Sequence, residues 1–178
     1  VYPSDYRAYN NMGVIELKKN DLGAASAMFA KAEQMESNPI SKNNMAIVER
    51  MNGDRMAAMK MLEEAAGAGD EVNYNMGLID IQNGDYNSAI QNMKGQNTFN
   101  KALAQVLNGN NEAALSTINS SDDKDSAMGN YLKAIIGARM NDATMVGNSL
   151  KAAFALDASL KETAMNDLEF RNFQDAIQ

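Results

Sequence analysis

The stretch Asn75-Met76-Gly77-Leu78-Ile79-Asp80-Ile81-Gln82-Asn83-Gly84-Asp85-Tyr86-Asn87-Ser88-Ala89 decides the fold. Gly84 can take the left-handed backbone that ends one helix, and Asp85 can cap the helix that follows. Small and apolar residues flank this turn at helical spacing, so the stretch predicts a helix, a short polar turn and a second helix. The same slot recurs outward in both directions: Gly53-Asp54-Arg55 and Asn20-Asp21-Leu22 upstream, Gly109-Asn110-Asn111 and Asn141-Asp142-Ala143 downstream. From Asn20 to Gly53, Gly84, Gly109 and Asn141 the successive intervals are 33, 31, 25 and 32 residues. Apolar stripes accompany the turns, with Tyr9, Met12, Gly13 and Leu17 before the first and Ala25, Met28, Phe29, Ala32 and Met35 after it. The second turn has Met45, Ala46 and Ile47 before it and Ala58, Met61, Leu62 and Ala65 after it. Two short amphipathic helices cannot bury their faces alone, so such units stack on their neighbours.

Composition narrows the chemistry. The 178 residues are 45% apolar and 22% charged, the range of a folded chain with a sizeable core. Twenty-three acidic against 16 basic side chains give a net charge of −7, which disfavours nucleic acid or an anionic membrane surface as the partner. Neither Cys nor His occurs, so thiolate nucleophiles, imidazole catalysis, disulfides and Cys/His metal sites are excluded within the chain. No apolar run approaches the ~18 residues of a membrane span. The first residues, Val1-Tyr2-Pro3-Ser4, have no basic-then-apolar leader, and the chain reads as a mature form or a part of a longer protein.

Tyr9-x-x-Met12-Gly13, Asn20-Asp21-Leu22, Ala25, Phe29 and Ala32 resemble the tetratricopeptide repeat (TPR), as do Asn75-Met76-Gly77, Gly84-Asp85-Tyr86 and Ala89. The resemblance implies an all-α, right-handed helical solenoid of about five helix-turn-helix units with a C-terminal capping helix. It implies one solenoid domain over 1–178, with units at about 6–38, 39–69, 70–95, 96–126 and 127–158 and the cap at 159–178. Lys101 and Lys133 stand where the family places an apolar residue, each followed by a small one, Ala102 or Ala134. The 25-residue interval predicts a shortened second helix in the third unit, a shortened first helix in the fourth, or both, with a kink near 94–99. Ser4 or Asp5 is the expected cap of the first helix, Asn38-Pro39 of the third, and Ser159 to Glu162 reads as a capping box.

Other motifs have plainer readings. The methionines at Met12, Met28, Met45, Met61 and Met76 are expected to fill the core. Gly67-Ala68-Gly69-Asp70 follows no strand and lacks a third Gly, so it reads as an inter-repeat turn and not a nucleotide loop. Ser120 to Asp125 lacks the Gly and distal Glu of a calcium loop, and helix capping accounts for it. Glu63-Glu64 and Asp122-Asp123 are sequence neighbours that point in different directions on a helix, so no catalytic pair is assigned. No catalytic residue, cofactor or metal is expected.

Asn recurs at one place on successive first helices: Asn11, Asn44 and Asn75, with Asn100 at the fourth. The TPR resemblance implies that this place lies on the concave surface, where an amide can donate to and accept from a peptide backbone. The same surface would carry Asn10, Val14, Asn43, Ile47, Tyr74, Leu78 and Ile81. Family members that grip a C-terminal carboxylate use Lys, Asn, Lys and Arg; Asn10, Val14, Glu71 and Asn75 stand in those places here, so that clamp is absent. The expected function is a non-enzymatic scaffold for a protein or peptide, without nucleic acid or membrane insertion. Alternatives are an assembly module whose groove is filled by its own chain or by a second copy as a homo-oligomer, and a carboxylate-based glycan hydrolase. The Asn-rich, Cys-free style is similar to repeat regions of cell-envelope proteins from anaerobic gut bacteria, which points to the envelope, with the cytoplasm left open.

Overall fold

A computed structural model describes residues 5–177, and Ser4 lies outside them. Eleven α-helices are present among the described residues, with no strand. The chain divides between Met93 and Lys94 into two compact units. The first holds the pairs α1 (Tyr6–Lys18) with α2 (Leu22–Met35), α3 (Pro39–Asn52) with α4 (Arg55–Glu64), and α5 (Asp70–Asn83) with α6 (Tyr86–Asn92). The second holds α7 (Phe99–Leu107) with α8 (Asn111–Asn119), α9 (Ala127–Arg139) with α10 (Ala143–Leu156), and the terminal α11 (Leu160–Asn166). The short interval between the third and fourth turns is explained by both neighbouring helices: α6 has 7 residues and α7 has 9, against 14 in α2 and 13 in α1.

All five pairs turn in one way. Asn20, Gly53, Gly84, Gly109 and Asn141 have φ between 57° and 92°. The amide of the next residue reaches back five positions, Asp21 to Glu16 O, Asp54 to Glu49 O, Asp85 to Asp80 O, Asn110 to Gln105 O and Asp142 to Gly137 O, at 2.8–3.0 Å. These bonds satisfy carbonyls that a helix end would otherwise leave unpaired. The carboxylates of Asp21, Asp54, Asp85 and Asp142 then accept from amides of the second helix. Asn110 is the exception, with no side-chain cap bond.

Seven positions before each turn residue stands a small one: Gly13, Ala46, Gly77, Ala102 and Ala134. This settles the register of the fourth and fifth pairs. Five and nine positions after the turn stand Ala25 and Phe29, Ala58 and Leu62, Ala89 and Met93, Ala114 and Ile118, and Val146 and Leu150, all essentially inaccessible to water. A Cβ on Gly13 would lie 2.4 Å from the Phe29 ring, and one on Gly77 would lie 2.8 Å from Met93 Cε and 3.2 Å from Ala89 O. Small residues therefore let the paired helices touch, and the large residue fills the space beside them. In the second unit Lys101 and Lys133 stay at the surface and donate to loop carbonyls, Gln96 O at 3.0 Å and Lys124 O at 2.6 Å.

Three sequence expectations need correction. Met12 is 44% exposed and Met35 also lies at the surface, whereas Met93 is the fully buried methionine. Met12 misses the core because no described helix covers its side of α1; Met45, Met61 and Met76 are partly buried against core clusters. Ser159 caps nothing: its amide and hydroxyl both bond Asp157 Oδ1, so Asp157 organises the start of α11. The caps of the first and third helices are found as read, with Asp5 accepting from Arg7 N and Asn38 from Ser41 N, whereas the run Ser120 to Asp125 supplies no side-chain cap. The acidic run forms a 3-10 turn, Asp122–Asp125, followed by Ser126 capping α9. There Gly129 packs under Asp123 O so closely that a Cβ would overlap it.

The second unit ends in a closed cap. Leu160, Ala164, Phe170 and Ile177 cover Tyr131, Leu150 and Ala153. Tyr131 meets Phe170 edge to face at 5.5 Å and donates to Asp167 Oδ2 at 2.9 Å. Burial, with the Asp167 carboxylate beside it, pushes the Tyr131 phenol well above its usual range. Arg139 joins three elements by donating to Val106 O on α7 and pairing with Glu169 of the cap. Replacing Arg139 with Ala should destabilise the second unit by about 1–2 kcal/mol, the scale of charge-assisted bonds in a half-exposed site. Denaturant melts of R139A read this, and an unchanged midpoint would show that the cap is held by apolar packing alone.

Asp80 on α5 is 7% exposed and accepts from Asn92 Nδ2 at 2.7 Å. Removal from water raises its carboxyl above the usual range; the Asn92 bond opposes this and the nearby Asp85 charge adds to it. A carboxyl raised by folding contributes stability below its unfolded pKa and loses it as pH rises through the folded value. Asp80→Asn should therefore raise the melting temperature at neutral pH, with the gain shrinking as pH falls through the raised folded value and gone below about pH 4, the unfolded value. A gain that is constant with pH, or larger in acid, would contradict the assignment.

Candidate functional site

The first helices α1, α3 and α5 carry the residues singled out in the sequence. Asn10, three positions before the small residue of α1, is 5% exposed; its Nδ2 donates to Ser41 Oγ at 3.0 Å. Asn44 Nδ2 reaches Asn10 Oδ1 at 3.5 Å, and Asn75 Nδ2 donates to Asn43 Oδ1 at 2.8 Å. Each of these amide pairs joins the position three before the small residue in one repeat to the position two before it in the next. The amides thus form a diagonal ladder that ties α1 to α3 and α3 to α5. Asn38 Nδ2 also donates to Ser41 Oγ, which fastens the start of α3 to the same ladder.

Exposure sorts the rest. Asn11 is exposed, while Asn43, Asn44, Ile47, Tyr74, Asn75, Leu78 and Ile81 are half-buried. Val14 is half-buried against Ala25, Phe29 and Val48. Asn100 belongs to α7 in the second unit. The structure brings Asn10, Asn44, Asn43 and Asn75 together through bonds and leaves Asn11 apart from them.

Asn43 and Asn44 also line a pocket of about 420 Å³ with Pro39, Ile40, Ala68, Glu71 and Val72, at the N-terminal ends of α3 and α5. Ile40 is 59% exposed on its rim, and Glu71 is the one charged residue of the lining. Glu71 forms no ion pair among the described residues. The Glu71 carboxylate folds back over Gly69, 3.2 Å from where a Cβ on that residue would sit. Pro39, Ile40, Ala68 and Val72 are not site residues in the sequence reading, which takes Pro39 as a helix start and Ala68 as part of a turn, because periodicity does not weigh linkers and helix starts. Nearby, Lys42 and Glu64 pair at 2.9 Å across α3 and α4; the contact holds the Glu64 carboxyl below its usual range and the Lys42 ammonium above it. A second pocket of about 520 Å³ lies at the turn of the second pair, lined by Gly53, Asp54, Arg55, Met56, Met59, Lys60, Glu63 and Asn83.

No family model matches the sequence, and no curated protein matches it significantly. Solved structures do. A chain of the APC/C hetero-tetramer Cut9-Hcn1 is 13% identical with a TM-score of 0.76 over 96% of this chain and 37% of that one. This chain therefore spans little more than a third of that protein. YrrB, a TPR protein with an unusual peptide-binding site, is 18% identical with a TM-score of 0.66, covering 88% of this chain and 89% of its own. A tetratricopeptide repeat protein from Parabacteroides merdae is 15% identical with a TM-score of 0.50 over 99% and 86% of the two chains. With five small-residue helix pairs and a terminal cap, the chain has the all-α helical-repeat fold of the TPR proteins.

Proposed function

We propose that the chain is a non-catalytic protein-interaction scaffold, and that the surface of α1, α3 and α5 in its first unit binds an extended peptide. The observation that carries this reading is the pocket beside the amide ladder: exposed Ile40 on the rim, neutral amides at Asn43 and Asn44, and a single carboxylate at Glu71. Such a site offers apolar contact, hydrogen bonds to a peptide backbone, and complementarity to a basic side chain. A half-open pocket with few polar groups suits one side chain of a peptide better than a whole small molecule. Two fold neighbours support the reading from outside, since one is described by its peptide-binding site and another by its place in a hetero-tetramer. An envelope location belongs to the same proposal and is read by cell fractionation.

A displayed random-peptide library panned on the protein tests it. Peptides recovered on the wild type should bind Asn44→Ala, Asn75→Ala more weakly by about 1–3 kcal/mol in total, since each neutral hydrogen bond contributes about 0.5–1.5 kcal/mol. Ile40→Asp should weaken the same peptides while leaving the melting temperature unchanged, because Ile40 is on the rim. If the double variant binds normally but melts lower, the amides serve the fold alone. If no peptide is recovered, the groove reading fails as a whole.

A further inference from the structure

Counting positions from the left-handed turn residues reveals an open face at α1. Five positions before the turn stand Ile15, Val48, Ile79 and Ile136 in the first, second, third and fifth pairs, and eight before it stand Met12, Met45 and Met76 in the first three. In the second pair Val48 and Met45 pack on Ala25 and Phe29 of α2. In the third, Ile79 and Met76 pack on Ala58 and Leu62 of α4. In the fifth, Ile136 packs on Ala114 and Ile118 of α8. Each time the receiving surface is a small residue and a large apolar one four positions later, on the second helix of the preceding pair. Val48, Ile79 and Ile136 are buried to 1% exposure or less, whereas Ile15 is 52% and Met12 44% exposed.

A terminal repeat that faces water carries polar residues on its outer side. The opposite terminus is closed, with α11, Phe170 and Ile177 covering the apolar side of the fifth pair. Met12 and Ile15 instead keep the residue types of internal repeats. They lie one turn apart on one stripe of α1, so they form a patch and not two scattered side chains.

We propose that the Met12–Ile15 face of α1 is a stacking site for one more helix pair of the chain's own kind, placed ahead of α1 in the same polypeptide. Its second helix presents a small residue and, four positions on, a large apolar residue, as α2, α4 and α8 do. The chain's own geometry specifies the join: Asp70 precedes Gly84 by 14 residues and Tyr6 precedes Asn20 by 14, so Tyr6 is the register equivalent of the residue that follows the α4 linker.

A fusion of a copy of residues 39–69 directly to Tyr6 tests the site, with the remaining chain intact through Gln178. The added α4 should dock on Met12 and Ile15 as the native α4 docks on Met76 and Ile79. The melting temperature should rise, and amide exchange in α1 should slow by about tenfold or more as the helix becomes internal. Changing Ala58 and Leu62 to Asp in the added copy alone should abolish both effects. A fused pair that leaves exchange in α1 and the melting temperature unchanged overturns the proposal, as does a gain that survives the two Asp substitutions. Sedimentation of the unmodified chain supplies the other arm. A monomer at all concentrations agrees with an occupant from the same polypeptide; a dimer dissolved by Ile15→Lys assigns the face to a second copy and overturns it.

Discussion

The close approach of two helices at one small residue is the constraint from which the other features follow. Where Gly13 lies over Phe29, and Gly77 over Met93 and Ala89, there is no room for another carbon atom. That contact sets the angle and depth at which the second helix returns, and hence which of its positions face inward. Ala25, Ala58, Ala89 and Ala114 sit at the crossing, with Phe29, Leu62, Met93 and Ile118 one turn deeper. The left-handed turn residue, seven positions after the small one, ensures that every pair meets in the same register. Next-neighbour stacking then reuses one surface from repeat to repeat, which lets such a fold grow along one dimension.

Much of this was legible because it rests on local chemistry. A left-handed residue followed by Asp, or once by Asn, is a strong signal, and five copies with three of four intervals at 31–33 residues left little freedom in the helix pairing. The fourth and fifth pairs also obey the seven-residue rule through Ala102 and Ala134, with Lys101 and Lys133 serving loop carbonyls instead of the core. Two residues depart from that reading. Met12 looked like a core residue because Met45 and Met76 are its equivalents, but burial depends on the preceding repeat, and local periodicity does not register a missing neighbour. Ser159 looked like a cap because Glu162 follows it, yet its backbone is already helical, at φ −67° and ψ −24°, and not in the extended conformation that a cap residue takes.

The amide ladder sits between fold and function. Asn at a repeated surface position reads equally well as a backbone reader or as an inter-repeat tether, since an amide has donors and acceptors to spare. Asn10 is committed to Ser41, and Asn75 to Asn43, while the exposed Ile40 and Glu71, which has no ion pair among the described residues, lie beside them. Position in the repeat places these amides on α1, α3 and α5; only side-chain geometry separates the tethers from the other groups. Of the residues that complete the pocket, Pro39 opens α3 and Ala68 lies in the linker, and neither carries a periodic signal.

The central claim is that helix contact at the small residues fixes the fold, and paired substitutions at two glycines of the first repeat test it. Ala is the better helix former by about 1 kcal/mol, so both changes gain propensity. Gly23, exposed on α2, where a Cβ would meet only Asp21 Oδ1 at an ordinary contact distance of 3.7 Å, should reveal that gain as a stabilisation of up to about 1 kcal/mol in G23A. Gly13→Ala drives a methyl into the Phe29 ring, and overpacking should reverse the sign to a loss of about 1–3 kcal/mol. Equilibrium denaturation of the two variants gives both numbers directly. Opposite signs are the predicted result; a G13A variant as stable as G23A would contradict the account.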